Sequence, residues 1–308
     1  MNLSIIIPTN NPDLLNFTLE SLQQKTEFDY EVIVVENPAH TDYVQDLCER
    51  YKAIHIVVNE IGANHARNEG VKVAKGEILG FLDDDVICSE DWVNRTILLH
   101  KLYPNSNLVG GPVELSFSSG KPPWLEGDFL KTLAEVKWPS RGIDLVSSSE
   151  HYIVSANMSM RRTCYNLIEG FDDRIGHKAE LNFGNDELEF NRVAIATGGF
   201  LYDRDLSVKH IVRKERTSLD WFQKRYYNQG VSDAKDALRK GKPETDIYHD
   251  IVQHHALNFI TMEETNKVRN KVCNENFTRQ YIKNYVICKT SYMSGLIKTL
   301  INKENNAT

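Results

Sequence analysis

The feature that most constrains the fold is a series of short apolar runs in the N-terminal third of the chain, each followed by helical periodicity. The apolar runs lie at residues 3–8, 31–36, 53–58 and 77–82. Apolar side chains with helical spacing follow at residues 13–25, after residue 41, and at residues 63–74. Strands that alternate with helices of this length predict βαβ units and a largely parallel sheet.

The pattern is less regular in the rest of the chain. Residues 116–142 contain Pro122, Pro123, Trp124 and Trp138 and predict a long functional loop or flap. We expect a strand at residues 152–160, further strand segments within 200–212, and a helix at 186–197 that ends at two glycines. From residue 218 onward the chain is predicted to be helical.

These patterns predict two domains with a boundary near Arg216. Residues 1–216 would form the first domain. Residues 217–308 form a helical C-terminal extension. At 308 residues, with 41 % apolar and 26 % charged residues, the chain has the composition of a globular protein with a sizeable core.

Cysteine usage and the N-terminus predict a cytoplasmic protein. The five cysteines are scattered and form no CxxC pair, which is typical of a reducing compartment. The first residues, MNLSIIIPTNN, have no basic segment and reach a proline early, so they do not resemble a signal peptide. No apolar run approaches the ~18 residues that a membrane span needs.

The charge is unevenly distributed. The chain carries a net charge of −7, yet residues 267–303 contain eight basic residues and one acidic residue. The acidic body argues against nucleic acid as a partner. In the basic tail, one helical stripe gathers Tyr281, Tyr285, Cys288, Tyr292, Leu296 and Leu300. This stripe predicts either a helix packed on the body or a peripheral contact with the inner face of the membrane.

Three consecutive acids follow the fourth apolar run: Asp83, Asp84 and Asp85. In an open α/β sheet, ligands bind beyond the carboxyl ends of the strands. Alternate residues point the same way, so Asp83 and Asp85 can share a face. A divalent cation held by one or two carboxylates and by substrate phosphates would offset their repulsion. The triplet alone also fits a solvated turn.

Seven short motifs follow one another along the chain: SIIIPTN (4–10), EVIVVEN (31–37), GANHARNEG (62–70), GEILGFLDDD (76–85), SANMSMRR (155–162), GFD (170–172) and GNDELEF (184–190). With these motifs the chain resembles the family-2 glycosyltransferases of the GT-A fold over about residues 1–230. The order and spacing of these motifs are far more specific than any one of them.

The resemblance implies a three-layer α/β/α sandwich around a mainly parallel mixed sheet, with the helical extension appended. Residues 1–216 would be the catalytic domain, with a nucleotide-sugar-binding half at about 1–110 and an acceptor half at 111–216. It also implies a metal-dependent inverting transferase that uses Mn²⁺ or Mg²⁺. The enzyme would move a sugar from a nucleotide diphosphate sugar, with UDP preferred, to a hydroxyl of a glycan or lipid-linked glycan in bacterial cell-surface polysaccharide synthesis.

The same resemblance implies roles for donor-binding residues. Pro8, Thr9 and Glu36 would border the nucleobase and ribose, although most relatives have Asp in place of Glu36. Arg67 would lie against the base or the phosphates, and Asn10 and Asn64 are either donor contacts or turn and cap residues.

Within the triplet, the resemblance implies that Asp83 contacts the ribose or base and that Asp85 binds the metal. Asp84 could take either role. His210 matches a segment where many relatives place a histidine near the metal; a structural role is the alternative. Arg225 could reach the diphosphate, because Arg forks suit phosphate oxygens, or could simply face water.

The transfer step needs a carboxylate that accepts the proton of the acceptor hydroxyl. Asp186 and Glu187 match the acidic pair that carries this role in the family, and the sequence leaves open which of them is the base. Trp124 and Trp138 either stack on a sugar or anchor their loop.

Two other classes of protein compete with the transferase interpretation. A nucleotidyltransferase or dinucleotide enzyme would carry a glycine-rich loop after the first strand, where this chain has Pro8, Thr9 and two asparagines. A non-catalytic nucleotide-sugar- or carbohydrate-binding relative remains the alternative function.

Overall fold

The computed structural model describes residues 1–37, 42–147, 151–172, 188–239, 241–243, 246 and 275–306. These residues group into two compact units. Described residues of the first unit lie within 1–116, 131–177 and 185–212, and those of the second lie within 117–130 and 213–308. The division of residues 1–216 into a donor half and an acceptor half stays a prediction.

The strands alternate with helices in the order that the apolar runs predict. The strands are β1 (Leu3–Thr9), β2 (Tyr30–Glu36), β3 (Ile54–Val57), β4 (Ile78–Leu82), β5 (Val86–Cys88), β6 (Leu108–Gly110), β7 (Val113–Phe117), β8 (Ile143–Val146), β9 (Asn157–Arg161), β10 (Phe200–Asp203) and β11 (Val208–Val212).

The first helices connect these strands, and two long helices follow them among the described residues. The helices are α1 (Leu15–Ser21, after a 3-10 turn at Pro12–Leu14), α2 (Asp42–Tyr51), α3 (Ala63–Val73), α4 (Trp92–Leu102), α5 (Asp128–Thr132), α6 (Arg162–Leu167), α7 (Leu188–Ala196), α8 (Leu219–Arg239, after a 3-10 turn at Lys214–Thr217) and α9 (Glu275–Asn306).

Within the described residues, eight strands form one sheet in the order β3-β2-β1-β4-β9-β6-β10-β8. β1 pairs in parallel with both β2 and β4, and β2 pairs in parallel with β3. β9 and β8 run antiparallel to their neighbours. The predicted mainly parallel mixed sheet is therefore confirmed.

The sheet is covered on both faces, as the continuous apolar runs predict for buried parallel strands. A Cβ atom at Gly70 of α3 would lie 2.5 Å from Cγ2 of Ile6, whereas a Cβ atom at Gly80 would lie 3.2 Å from Trp92, the first residue of α4, and 3.7 Å from Ile5. Neighbouring residues of a strand point to opposite faces. Thus α3 and α4 lie on opposite faces, and the three-layer α/β/α architecture is confirmed.

A smaller sheet joins the segment after β4 to the end of the first unit. It contains β5, β11 and β7 in that order, and β5 pairs antiparallel with β11. The pairing aligns Val86 with His210. It therefore brings the strand that follows the acidic triplet beside a residue from the far end of the unit.

Two sequence predictions need correction. The strand expected at residues 152–160 begins only at Asn157, and residues 151–156 lie outside it. The loop expected at 116–142 contains α5 and is tied to β7 by an isolated bridge between Val113 and Val136. Neither short element has enough apolar periodicity to be recognised from sequence.

In the second unit, α8 and α9 cross with their backbones in close contact. A Cβ atom at Gly230 would lie 2.0 Å from the carbonyl oxygen of Tyr292, and one at Gly295 would lie 2.1 Å from that of Tyr227. The crossing is fixed further by a hydrogen bond of 2.8 Å from Tyr292 Oη to Asp233 Oδ2. Only glycine permits this approach at both positions.

The apolar stripe of α9 is used inside the second unit. Tyr285 of the stripe is half-buried, and the other five stripe residues are buried: Tyr281, Cys288, Tyr292, Leu296 and Leu300. The stripe is therefore not available to a membrane, and the packed-helix interpretation holds. Among the described helices, none is both long and apolar enough to span a bilayer.

The cysteines of the described residues are free and buried: Cys48, Cys88, Cys164 and Cys288. Burial raises the pKa of Cys48, Cys88 and Cys288 to about 12. Because the thiolate is the reactive form, these side chains are inert parts of the core.

Gly70 sets how closely α3 approaches the sheet. In an exposed helix, Gly→Ala usually stabilises by about 1 kcal/mol. At Gly70 the added methyl group would meet Ile6 and Val35 at 2.5 and 3.1 Å, and overpacking costs about 1–3 kcal/mol. We predict that Gly70→Ala lowers the free energy of unfolding in urea titrations, whereas Lys72→Ala, an exposed neighbour, changes it by less than about 0.5 kcal/mol. A Gly70→Ala protein more stable than wild type would contradict this.

His100 makes stability depend on pH. It is buried in α4, its Nε2 lies 3.0 Å from Ser159 Oγ, and burial together with Arg161 lowers its pKa to about 3. Below about pH 6.5 the unfolded chain binds a proton that the folded chain does not, so stability is lost as the pH falls toward 3.

We therefore predict that His100 lowers the free energy of unfolding of the wild type by about 2 kcal/mol when the pH falls from 7 to 5. His100→Gln, which keeps an amide near Ser159, should remove that part of the pH dependence in urea titrations. If the free energy of unfolding depended equally on pH in the wild type and in His100→Gln, His100 would not be the group responsible.

Candidate active site

The carboxyl ends of β1, β2 and β4 meet at one edge of the large sheet because these strands are parallel. Thr9 ends β1 and is paired in register with Glu36, which ends β2. Asp83 follows β4 directly. The backbone N–H of Asn37 donates to the carbonyl oxygen of Thr9 at 2.8 Å and holds the two strand ends together. This edge is where ligands bind in open α/β sheets.

Thr9 contacts the triplet directly. Its Oγ1 donates to Oδ2 of Asp84 at 2.5 Å. Pro8, which precedes it, is half-buried and Asn10, which follows it, is exposed. The structure thus brings the first predicted turn against Asp84, the member of the triplet whose role the sequence left open.

Helix α3 supplies the cation that faces Asp83. Arg67 donates from NH2 to Oδ1 of Asp83 at 3.0 Å and from NH1 to Oδ1 of Asn64 at 3.1 Å. Asn64 and Arg67 are both buried and lie three residues apart, on one face of the helix. Asn64 also donates from Nδ2 to the carbonyl oxygen of Asp172 at 2.9 Å. Arg67 therefore points to the end of β4, and Asn64 supports it from the same face of the helix.

Glu36 has a partner that the sequence analysis missed. The carboxylate of Glu36 is buried, and its Oε2 accepts a hydrogen bond of 3.0 Å from Nε2 of His55. His55 lies on β3, opposite Val34 in the parallel register. The parallel pairing of the second and third apolar runs was the one signal that could have identified it.

Asp85 and His210 form a buried pair. The Oδ1 atom of Asp85 lies 3.2 Å from Nε2 of His210, and the two side chains are 3 % and 4 % exposed. Antiparallel pairing of β5 with β11 places them together, and the N–H of Ile211 donates to the carbonyl oxygen of Asp85 at 2.8 Å. The two predicted metal ligands are thus adjacent.

The other ring nitrogen of His210 fixes its tautomer. Nδ1 lies 2.9 Å from the carbonyl oxygen of Leu133. Because a carbonyl oxygen only accepts, Nδ1 carries the proton. In the neutral ring Nε2 is then a lone-pair donor directed to the side of Asp85. Ligating histidines commonly donate their second N–H to a backbone carbonyl in this way.

This donor set fits a divalent metal. One carboxylate and one imidazole suit Mn²⁺, with the remaining positions filled by water or substrate phosphate oxygens. Among the residues that the structure describes, no group of three or more His, Cys, Asp and Glu side chains converges as a metal site.

The remaining predicted site residues lie in the second unit or outside the described residues. Arg225 lies on α8 in the second unit, where its NH1 donates to Oε1 of Gln229 at 2.9 Å. Its phosphate role stays a prediction. Asp186 and Glu187 lie outside the described residues and directly precede α7 in the chain.

Both tryptophans of the predicted loop pack on other aromatic rings. Trp124 makes edge contacts with Phe129 and Phe222 at 5.2 and 5.6 Å between ring centroids. Trp138 stacks on Tyr202 at 5.0 Å. These contacts favour the loop-anchoring alternative over sugar stacking.

Comparison with known proteins gives a consistent result. The profile described as Glycosyl transferase family 2 matches residues 4–167. A glucosyl-dolichyl phosphate glucuronosyltransferase of Haloferax volcanii is 24 % identical over 75 % of this chain and 76 % of its own length. A poly(ribitol-phosphate) beta-glucosyltransferase of Bacillus spizizenii is 40 % identical, but over only 29 % of this chain and 16 % of its own length.

Two solved structures share the fold. TarS of S. aureus has a TM-score of 0.53 at 14 % identity and is covered over 92 % of its chain. The mannosyltransferase PcManGT of Pyrobaculum calidifontis, in complex with GDP-Man and Mn²⁺, has a TM-score of 0.59 at 19 % identity and is covered over 88 %. Each alignment covers 98 % of the present chain. At these identities the likeness concerns the fold.

Proposed function

The chain belongs to glycosyltransferase family 2, and we propose that it is a metal-dependent inverting enzyme that uses a nucleotide diphosphate sugar as donor. Its curated relatives are transferases of glycan synthesis, so this protein is a sugar transferase. The donor is a UDP-sugar by preference, and the acceptor is a hydroxyl of a glycan or lipid-linked glycan in cell-surface polysaccharide synthesis.

The observation that carries the proposal is the buried contact between Asp85 and His210. Two charged or polar side chains at 3.2 Å, with the His210 tautomer fixed on its far side, form a preorganised pair of metal donors. A bound Mn²⁺ or Mg²⁺ would neutralise the charge that develops on the leaving diphosphate. Asp85 and His210 would hold it.

The chain's other residues at the strand ends bind and orient the donor in this proposal. Arg67 holds Asp83 by an ion pair of 3.0 Å, which aims the partly exposed carboxylate at a ribose or base. Glu36, fixed by His55, faces the nucleobase beside Pro8 and Thr9. Arg225 would contact the diphosphate. Asn10 and Asn64 complete the predicted donor set, and Thr9 orients Asp84.

Proton removal from the acceptor is assigned to the acidic pair before α7. A carboxylate within reach of the acceptor hydroxyl would accept its proton as the hydroxyl attacks the anomeric carbon, while the bond from that carbon to the diphosphate oxygen breaks and the nucleoside diphosphate leaves. Asp186 and Glu187 are the candidates. The support for this role is the family motif in which they lie.

The metal site is tested with Mn²⁺ and nucleotide. We expect the wild type to release nucleoside diphosphate from at least one sugar nucleotide in a Mn²⁺-dependent manner. Asp85→Asn should weaken Mn²⁺-dependent nucleotide binding in calorimetry by at least about tenfold. Losing a residue that only supports a metal ligand already costs about tenfold in metal affinity. Asp46→Asn, the same change at an exposed position of α2, should bind like wild type.

Unchanged metal dependence in Asp85→Asn would remove Asp85 from the metal site. Nucleotide binding without turnover, across all donors and acceptors, would instead favour a binding protein of the same fold. A thermal-shift screen of sugar nucleotides identifies the donor first, because a bound ligand stabilises the folded state according to its affinity.

The general base is tested with Asp186→Asn and Glu187→Gln. We expect one of the two variants to lose at least about 10²-fold in transfer rate, the usual contribution of a positioned base, with donor affinity within twofold of wild type. The other variant serves as the matched control. Full transfer rates in both variants would overturn the assignment to this pair.

A further inference from the structure

The carbonyl group that fixes His210 belongs to a turn with an unusual backbone. Helix α5 ends at Thr132, and the carbonyl oxygen of the next residue, Leu133, accepts from Nδ1 of His210 at 2.9 Å. Ala134 follows with φ of 67°, in the left-handed region where glycine is the ordinary residue. The strained residue thus lies directly beside the carbonyl that holds a proposed metal ligand.

The turn is fixed on both sides of this peptide. On one side the N–H of Ala134 donates to the carbonyl oxygen of Lys131 at 2.9 Å, and the Leu133 side chain is buried. On the other side Val136 exchanges both backbone hydrogen bonds with Val113, at 2.9 and 3.1 Å. Val113 begins β7, which pairs with β11, the strand of His210.

With both ends held, the torsions of Ala134 decide where the Leu133 carbonyl points. The peptide plane between Leu133 and Ala134 turns about the bonds adjacent to it, and φ of Ala134 is one of these torsions. If Ala134 returned to an ordinary negative φ, that plane would rotate and the oxygen would leave Nδ1. Backbone strain that persists beside a site in this way is typically part of its function.

We propose that Ala134 is a positioning residue for the metal site: its left-handed backbone directs the Leu133 carbonyl onto Nδ1 of His210 and so keeps Nε2 as the metal-binding nitrogen beside Asp85. The inference rests on the metal site of the proposed function and extends it to a residue with no polar side chain. Ala134 itself touches neither metal nor substrate.

The test compares two substitutions at one position. Ala134→Val disfavours the left-handed conformation because β-branched residues almost never adopt it, and Ala134→Gly accepts it freely. In Mn²⁺ titrations of the full chain followed by electron paramagnetic resonance, we expect Ala134→Val to bind Mn²⁺ at least about tenfold more weakly than wild type. Loss of the hydrogen-bond partner of a metal ligand usually has an effect of this size. Ala134→Gly should bind within twofold of wild type.

A matched control separates this effect from a general loss of stability. Lys52 has φ of 56° and is exposed between the end of α2 and the start of β3. Lys52→Val introduces the same backbone conflict elsewhere and should leave Mn²⁺ affinity unchanged. Equal Mn²⁺ affinity of Ala134→Val and wild type, or equal weakening in Lys52→Val, would overturn the proposal.

A second readout requires no metal. In ¹⁵N–¹H spectra of histidine-labelled protein at about pH 8, where imidazole is neutral, the signals lost in His210→Gln should identify an Nδ1–H tautomer in wild type and in Ala134→Gly. An Nε2–H tautomer in the wild type would overturn the proposal even if Ala134→Val does not fold. A wild type that shows the Nδ1–H tautomer but binds no Mn²⁺ would instead refute the metal site of the proposed function.

Discussion

Three adjacent carboxylates at the end of one buried strand repel one another, and the first unit is built so that each meets a different partner. Asp83 meets Arg67 from α3, Asp84 meets Thr9 from β1, and Asp85 meets His210 from β11. Arg67 offsets the charge of Asp83 and the hydroxyl of Thr9 donates to Asp84, whereas in the proposed function a divalent cation would offset the charge of Asp85. The site depends on these different partners, because they give three chemically equivalent side chains three different surroundings.

Each partner requires a particular structural arrangement. Arg67 reaches Asp83 only because α3 lies close to the sheet at Gly70. Thr9 reaches Asp84 because β1 and β4 are parallel neighbours. His210 reaches Asp85 because β5 and β11 pair in one register, and a slip of one residue would turn the imidazole to the other face. Helix packing thus places the partner of Asp83, sheet topology places the partner of Asp84, and strand register places the partner of Asp85.

The sequence predicted much of this site and missed what depends on backbone geometry. The buried strands β1, β2 and β4 follow from continuous apolar runs, and Arg67, Asp85 and His210 followed from recognisable motifs. His55 was missed because the apolar run at 53–58 predicts a strand but not its register against β2, and that register decides which side chain the histidine meets. The role of the Leu133 carbonyl leaves no trace in the sequence, because every residue has a carbonyl group and alanine does not signal a positive φ. The stripe on α9 was ambiguous for another reason, since packing on α8 and lying on a membrane require the same amphipathic pattern.

The pairing of β5 with β11 closes a long loop of chain between Asp85 and His210. The entropy cost of such a closure grows only with the logarithm of loop length, so that doubling the loop costs about 0.6 kcal/mol. Insertions between the two residues are therefore inexpensive, provided that they leave the sheets and the turn at Ala134 intact. A lineage could thus rebuild the intervening segments for a new acceptor while it inherits the Asp85 and His210 pair unchanged.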